Sequence, residues 1–364
     1  MKKKCLIISI SIILLISLIA IIINKNSKEY IMQDGIMLAL TLDGEKITEY
    51  PEGTNYGVEV TCENGKGKWL VDEWKLAVEE INANVACNID FSSNPKTLIS
   101  EVENKATTNE NGYRYNGATP SNYIWFNNEM WRIIGSIPTC LESSCGTNTT
   151  NLVKIIRDES IGAFAISGGT STVKGTWGSG TLKSLLNDYY YGAIDATDSS
   201  YCSAYSIYGI VYCDFSEIGI SSNRYYGKMI KKVYWNTGSI KATNIYPSTM
   251  YTNEIAAQTV SGYVGLISLS DYAYGTDSSY YTSTITSNYT NSTITNWLYG
   301  PGSQWTLTNV TNYSDRTYRV SGDGGIYSEE SEFGFAVRPV VYLDSSVFII
   351  SGDGSITNPY QIGM

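Results

Sequence analysis

Six cysteines fall in three close pairs along this chain: Cys62 and Cys87, Cys140 and Cys145, Cys202 and Cys213. An even set of this kind reads as a disulfide framework in an oxidising compartment. Several connectivities are open in principle, and pairing between sequence neighbours is the simplest of them. A metal site is the competing reading. It would need a C-x-x-C pair or help from histidine, and the 364 residues contain neither. No basic, thiolate-stabilising setting surrounds these cysteines, so a redox-catalytic pair is not expected either.

The seventh cysteine, Cys5, opens an unbroken apolar-plus-Ser run of 19 residues that ends at Ile23, preceded by Lys2, Lys3 and Lys4. Such a run is long enough to cross a bilayer as a helix, and the lysines mark the side expected to stay inside. A cleaved signal peptide would have a shorter apolar core and a small-residue cleavage site. The expectation is therefore a signal-anchor over 1–24: a single-pass protein of the cell membrane with its C-terminal domain extracellular.

The chain carries a net charge of −10 and no histidine. The missing histidine removes His-based triads, His-containing zinc sites and His proton shuttles. The acidic balance speaks against nucleic acid as a partner, because that surface needs clustered Lys and Arg. Charged residues make up only 16%, while tyrosine reaches 30. The tyrosines are unevenly placed: only Tyr30, Tyr50 and Tyr56 precede residue 113. A purely compositional bias would spread them through the chain.

Residues 25–98 predict a small β module. Ile36–Leu42 is a strand-like run followed by the turn pair Asp43-Gly44, and 56–62 and 84–91 alternate like half-buried strands. Trp69–Leu76 could be a short helix or a strand. A Cys62–Cys87 staple would support a core of this small size. Residues 99–111 are polar and without apolar period, so they predict a linker, with room for a short helix at Leu98–Lys105. From 112 to 364 short strands are expected at 123–126, 130–137, 152–158, 264–268, 305–307 and 336–343, and a helix over 180–190. Long Ser/Thr/Asn/Gly/Tyr loops (196–209, 236–262 and 275–296) separate them.

Three blocks carry a resemblance. The first is Asn122-Tyr123-Ile124-Trp125-Phe126-Asn127-Asn128-Glu129-Met130-Trp131-Arg132-Ile133-Ile134-Gly135. The second is Val153–Gly162, and the third runs Phe333-Gly334-Phe335-Ala336-Val337-Arg338-Pro339-Val340-Val341-Tyr342-Leu343 and closes on Ile350–Gly354 and Asn358-Pro359-Tyr360. Over nearly its whole length the chain resembles an uncharacterised extracellular domain family of Gram-positive-type bacterial surface proteins. More distantly, the ending is similar to C-type-lectin-like folds, among them the sulfatase-modifying factors and the retroelement variable proteins. The resemblance implies an α+β fold in which an N-terminal transmembrane helix and a disulfide-stapled β module precede a C-type-lectin-like domain with short strands and long loops. It places a variable ligand surface between residues 305 and 338. The enzymatic branch needs a reactive cysteine pair in that late region, and no cysteine follows Cys213.

The ligand-binding candidates in that stretch are Trp305, Tyr313, Arg316, Tyr318, Asp323 and Tyr327. Tyrosine offers large contact area with few rotatable bonds, as in antibody loops, and aromatic faces stack on sugar rings. Trp125 and Trp131 are expected in the core, Glu129 in an exposed hairpin turn, and Arg338 in a buried, satisfied network. No cofactor is expected. Calcium is the only metal the Asp-Gly pairs at 43, 323 and 353 suggest, and none matches a calcium-loop spacing. Asp158 and Glu159 are adjacent, so they would face opposite sides of a strand and make a poor carboxylate pair. The expected task is non-catalytic ligand binding or adhesion, with a glycan or a protein as partner. The alternatives are a glycan-processing hydrolase working through two carboxylates and a structural surface subunit.

Overall fold

The computed structural model describes residues 30–168, 175–202, 212–276, 279, 284–285, 295–300 and 302–364. It divides the chain between Asn94 and Pro95 into two units. Among the described residues strand accounts for 37% and helix for 13%, so the expected α+β, C-type-lectin-like class gives way to a mostly β structure. One reason is local: the strand-forming stretches pair into broad sheets, while the helices stay short. The longest described regular α-helices, Leu98–Lys105 and Pro247–Glu254, have eight residues each. At about 1.5 Å per residue they reach roughly 12 Å, against about 30 Å of membrane hydrocarbon. No helix among the described residues is long and apolar enough to cross a membrane. The membrane helix expected over 1–24 lies outside the described residues, and no described helix supports the expected single-pass, membrane-anchored placement, which is corrected to that extent.

In the first unit, Ile36–Leu42 runs parallel to Ala86–Ser92, which pairs antiparallel with Gly57–Glu63. Ile31–Gln33 and Glu45–Ile47 flank Ile36–Leu42 as hairpin partners. Both hairpins turn on Asp-Gly pairs with positive φ at both positions: 50° and 82° at Asp34-Gly35, 51° and 83° at Asp43-Gly44. That backbone matches the twist of the flanking strands. The stretch left open between helix and strand is a hairpin, Lys66–Leu70 against Lys75–Glu79. It carries Trp69, 2% exposed, into edge-on contact with Tyr50, Trp74 and Phe91.

The expected cysteine pairs are disulfides. Cys62 and Cys87 sit directly opposite on antiparallel strands, with Cα atoms 4.1 Å apart. Cys140–Cys145 and Cys202–Cys213 close loops with Cα separations of 5.7 and 5.8 Å.

In the second unit the segment read as a linker is ordered. Thr97 caps the helix Leu98–Lys105 by accepting from the Ser100 amide at 3.3 Å, and Leu98 and Val102 are fully buried. An eight-stranded sheet runs Val264–Gly265, Val340–Leu343, Thr150–Arg157, Glu129–Thr139, Tyr123–Phe126, Tyr360–Gly363, Phe348–Ser351. The short strand Tyr113–Arg114 adds to Glu129–Thr139 at a bulge beside Gly135. There a Cβ would stand 2.0 Å from the Tyr113 carbonyl oxygen, so the close approach requires glycine. Asn127 and Asn128, both at positive φ (56° and 61°), turn the hairpin between Tyr123–Phe126 and Glu129–Thr139.

A six-stranded sheet contains Ala163–Phe164, Phe335–Ala336, Gln304–Val310, Arg316–Val320 and Ile326–Glu330 in that order, with Ser239–Ile240 parallel to Gln304–Val310. The helix expected over 180–190 begins as Thr181–Ser184, widens by one residue per turn over Leu185–Tyr189 and tightens at Tyr190–Gly192. The loop expected over 236–262 contains the helix Pro247–Glu254; half of the loop over 196–209 and most of that over 275–296 fall outside the described residues.

Trp131 is fully buried as expected, but Trp125 is only half-buried, because its neighbours Ile124 and Phe126 take the core side of the strand. Glu129 is not in the turn. It binds Arg157 in a forked ion pair with contacts of 2.5 and 2.8 Å and accepts the Trp131 indole N–H at 3.1 Å. Arg338 is buried, donating to the carbonyls of Arg157 and Leu298 and lying 3.6 Å from Asp158.

Candidate functional site

The residues singled out between 305 and 338 are spread over a three-stranded meander, Gln304–Val310, Arg316–Val320 and Ile326–Glu330. The meander separates them into two groups. Trp305 and Tyr318 belong to the core, at 2% and 3% exposure. The Trp305 indole donates to the Phe164 carbonyl at 2.9 Å and packs edge-on against Phe335. The Tyr318 hydroxyl donates to the Ile240 carbonyl at 3.4 Å, and burial pushes it up to about 12. Neither can meet a ligand at the surface.

Tyr313, Arg316, Asp323 and Tyr327 stay at the surface. Tyr313 is 55% exposed, and the Arg316 guanidinium lies 5.5 Å from its ring centre. Arg316 also pairs with Glu330 across the strands at 3.0 Å. Asp323 accepts the Gly325 amide at 2.9 Å and the Tyr327 hydroxyl at 3.0 Å. Slight burial pushes the Asp323 carboxyl up, but these hydrogen bonds outweigh it and hold the group below its ordinary range. The same bond, first among its causes, raises the Tyr327 hydroxyl.

One member of this surface is not visible in the sequence. Arg319 lies opposite both Trp305 and Tyr327 in the strand register. Its guanidinium stands 5.2 Å from the Tyr327 ring centre and 4.7 Å from that of Phe335. It pairs with Glu329 at 3.0 Å and donates to the Ser303 hydroxyl at 3.1 Å. Only knowledge of which strands pair, and in what register, brings Arg319 to Tyr327 and Asp323; Tyr313 and Arg316 form a separate pair, because residues 316 and 319 of one strand face opposite sides of the sheet. The result is an aromatic and charged strip whose side chains are already held in place.

The carboxylates follow a different logic. Asp271 is 3% exposed and pairs with Lys154 at 2.5 Å, with the Arg114 Nε 3.8 Å away. Burial pushes the Asp271 carboxyl up, yet the two cations and the Ser268 amide outweigh it and keep it low. Glu254 is fully buried and accepts from Ser270 and Thr308. Here burial dominates over those hydrogen bonds and raises the carboxyl to about 7. Both groups are sealed in the core, away from any substrate. Among the described residues no group of three or more Asp, Glu or Cys side chains is placed to hold a metal ion.

No family model, curated protein or solved structure matches the chain. What the chain does must be argued from its own surface and cavities.

Proposed function

We propose that this chain is a non-catalytic binding protein that recognises a glycan through the strip formed by Asp323, Tyr327 and Arg319, with Tyr313 and Arg316 as a separate surface pair on the same meander. The observation that supports this most directly is the fixation of Arg319 and Tyr327. The tyrosine ring has the guanidinium against it and its hydroxyl tied to Asp323. A sugar ring stacking there meets an aromatic face that loses little freedom on binding. Of the carboxylates described above, Glu254 and Asp271 are buried, and Asp158 lies beside Arg338.

A protein ligand is the second reading. One observation favours it: Ile326–Glu330 is the last strand of its sheet, and no described strand pairs with its outer side. An extended peptide could add there.

A glycan array probed with the chain tests the proposal. Binding of a defined glycan class, lost in Tyr327→Ala, supports it. Retention by an immobilised protein or peptide with no glycan bound would favour the second reading.

A further inference from the structure

A separate feature of the second unit carries its own inference, independent of the strip. A cleft of about 430 Å³ opens where three segments meet. Lys105 and Thr107 line it from the end of the helix Leu98–Lys105, Tyr115, Pro120 and Ser121 from the chain following Tyr113–Arg114, and Asp353 and Ser355 from the loop before the last strand. The volume is within the usual range for small-molecule sites, roughly 300–1,000 Å³.

The walls are preformed. The Lys105 ammonium has three donors and three partners: Glu101 at 2.8 Å, the Tyr360 hydroxyl at 2.9 Å and the Asp353 carbonyl at 3.2 Å. Its protons are therefore committed to holding the helix end against the final strand and its loop. Gly354, at φ +83°, brings that loop so close to Ser121 that a Cβ would stand 2.6 Å from the Ser121 carbonyl oxygen. Tyr115 is pinned through its backbone, its amide donating to Ile134 at 3.3 Å and its carbonyl accepting the Trp297 indole at 2.8 Å.

Against these committed groups, one polar atom stands out. The Tyr115 hydroxyl is buried and has no hydrogen-bond partner, although the residue is only 3% exposed. A buried hydroxyl without a partner is costly to a folded protein. Beside it the Asp353 carboxylate is exposed, with the Ser355 amide bound to one oxygen at 2.9 Å. The cleft thus offers a proline as an apolar face, a carboxylate and serine hydroxyls as polar edges, and an unsatisfied tyrosine hydroxyl.

We infer that this cleft is a binding site for a small neutral polyhydroxylated ligand, of the monosaccharide class. The charge pattern selects that class. Glu101 and Asp353 flank the single cation Lys105, so an anion gains no free positive partner. A cation would meet Lys105 in the same wall. A neutral ring with several hydroxyls can donate to Asp353, lay its C–H face on Pro120, and provide the acceptor that the Tyr115 hydroxyl lacks.

Saturation-transfer NMR on the whole chain tests this with glucose and galactose as neutral probes, and glucuronate and glucosamine as anionic and cationic ones. The expected result is transfer to a neutral sugar, with binding weakened at least tenfold in Asp353→Asn and abolished in Ser121→Trp, both variants keeping the wild-type melting curve. Tyr115→Phe separates a binding role from a structural one: it raises Tm, because an unsatisfied group is gone, and it also weakens sugar binding. The inference is overturned if no neutral sugar shows transfer, if glucuronate or glucosamine binds as well as the neutral sugars, or if Ser121→Trp in its folded form leaves binding unchanged. A Tyr115→Phe variant that gains stability and keeps full sugar affinity would remove the hydroxyl from the site.

Discussion

Lys154 and Asp271 form an ion pair of 2.5 Å across 117 residues of sequence, with both side chains 2% exposed. The pair links the sheet strand Thr150–Arg157 to the helix Leu269–Tyr274. Asp271 also closes that helix's capping box by accepting the Ser268 amide at 2.9 Å. Removing Lys154 would leave a carboxylate in the core with only the more distant Arg114 facing it. Lys154→Met is expected to destabilise the second unit by about 3–5 kcal/mol, read as a lower denaturation midpoint in urea. A midpoint within error of wild type would show that the pair is dispensable.

Glu254 sets a pH dependence of the opposite kind from Asp271. Its carboxyl is raised from 4.5 to about 7 in the fold, chiefly by burial. Between those values the folded state holds a proton that the unfolded chain has released. Stability from this group is therefore full below pH 4.5 and falls as pH rises toward 7, by at most about 1.4 kcal/mol per pH unit. Asp271, whose carboxyl is lowered, acts below its ordinary 3.8, where stability falls as pH falls. Glu254→Gln should flatten the decline between pH 4.5 and 7 and leave the acid limb in place, as thermal melts across that range would show.

Trp305 and Tyr327 are direct neighbours of Arg319 in the register, yet their replacement should have different consequences. Trp305→Ala empties a buried site and is expected to cost about 3–5 kcal/mol, visible as a large drop in melting temperature. Tyr327→Ala lies at the surface and should change stability by roughly 0.5 kcal/mol or less, while reducing glycan binding at least tenfold. Loss of binding without loss of stability at Tyr327, and the reverse at Trp305, is the signature to look for by calorimetry.

The three disulfides should differ in effect. Cys62–Cys87 closes 25 residues and Cys140–Cys145 only 5. Loop-closure entropy gives about 3.5 kcal/mol for the first and about 2 kcal/mol for the second. Replacing both cysteines of a pair by serine and comparing denaturant midpoints checks the order; the longer loop should cost more.

Part of this structure was readable locally. The Asp34-Gly35, Asp43-Gly44 and Asn127-Asn128 turns follow from residues that tolerate positive φ. The strands Ile36–Leu42 and Tyr123–Phe126 follow from apolar patterning. The helix Leu98–Lys105 was harder to read, since its polar face dominates the composition and only Leu98 and Val102 reach the core as fully buried residues. The surface site was readable in half. Tyr313 and Asp323 are exposed and Arg316 and Tyr327 half-buried at the surface, whereas Trp305 and Tyr318 look the same in sequence and are core residues. Aromatic content marks a region but not a face, because burial depends on which strand lies on each side.

The sequence alone determined an even set of six cysteines beyond the N-terminal run, the Asp43-Gly44 turn and the concentration of tyrosine beyond residue 112, all of which depend on neighbours or on counting, while the structure decided which cysteines pair. The tertiary structure decided the mostly β class, the Arg319 clamp, the buried pair Lys154–Asp271 and the cleft beneath Lys105. Each of these joins residues far apart in the chain, and strand register and burial, which fix such meetings, are set by long-range packing and not by any local pattern.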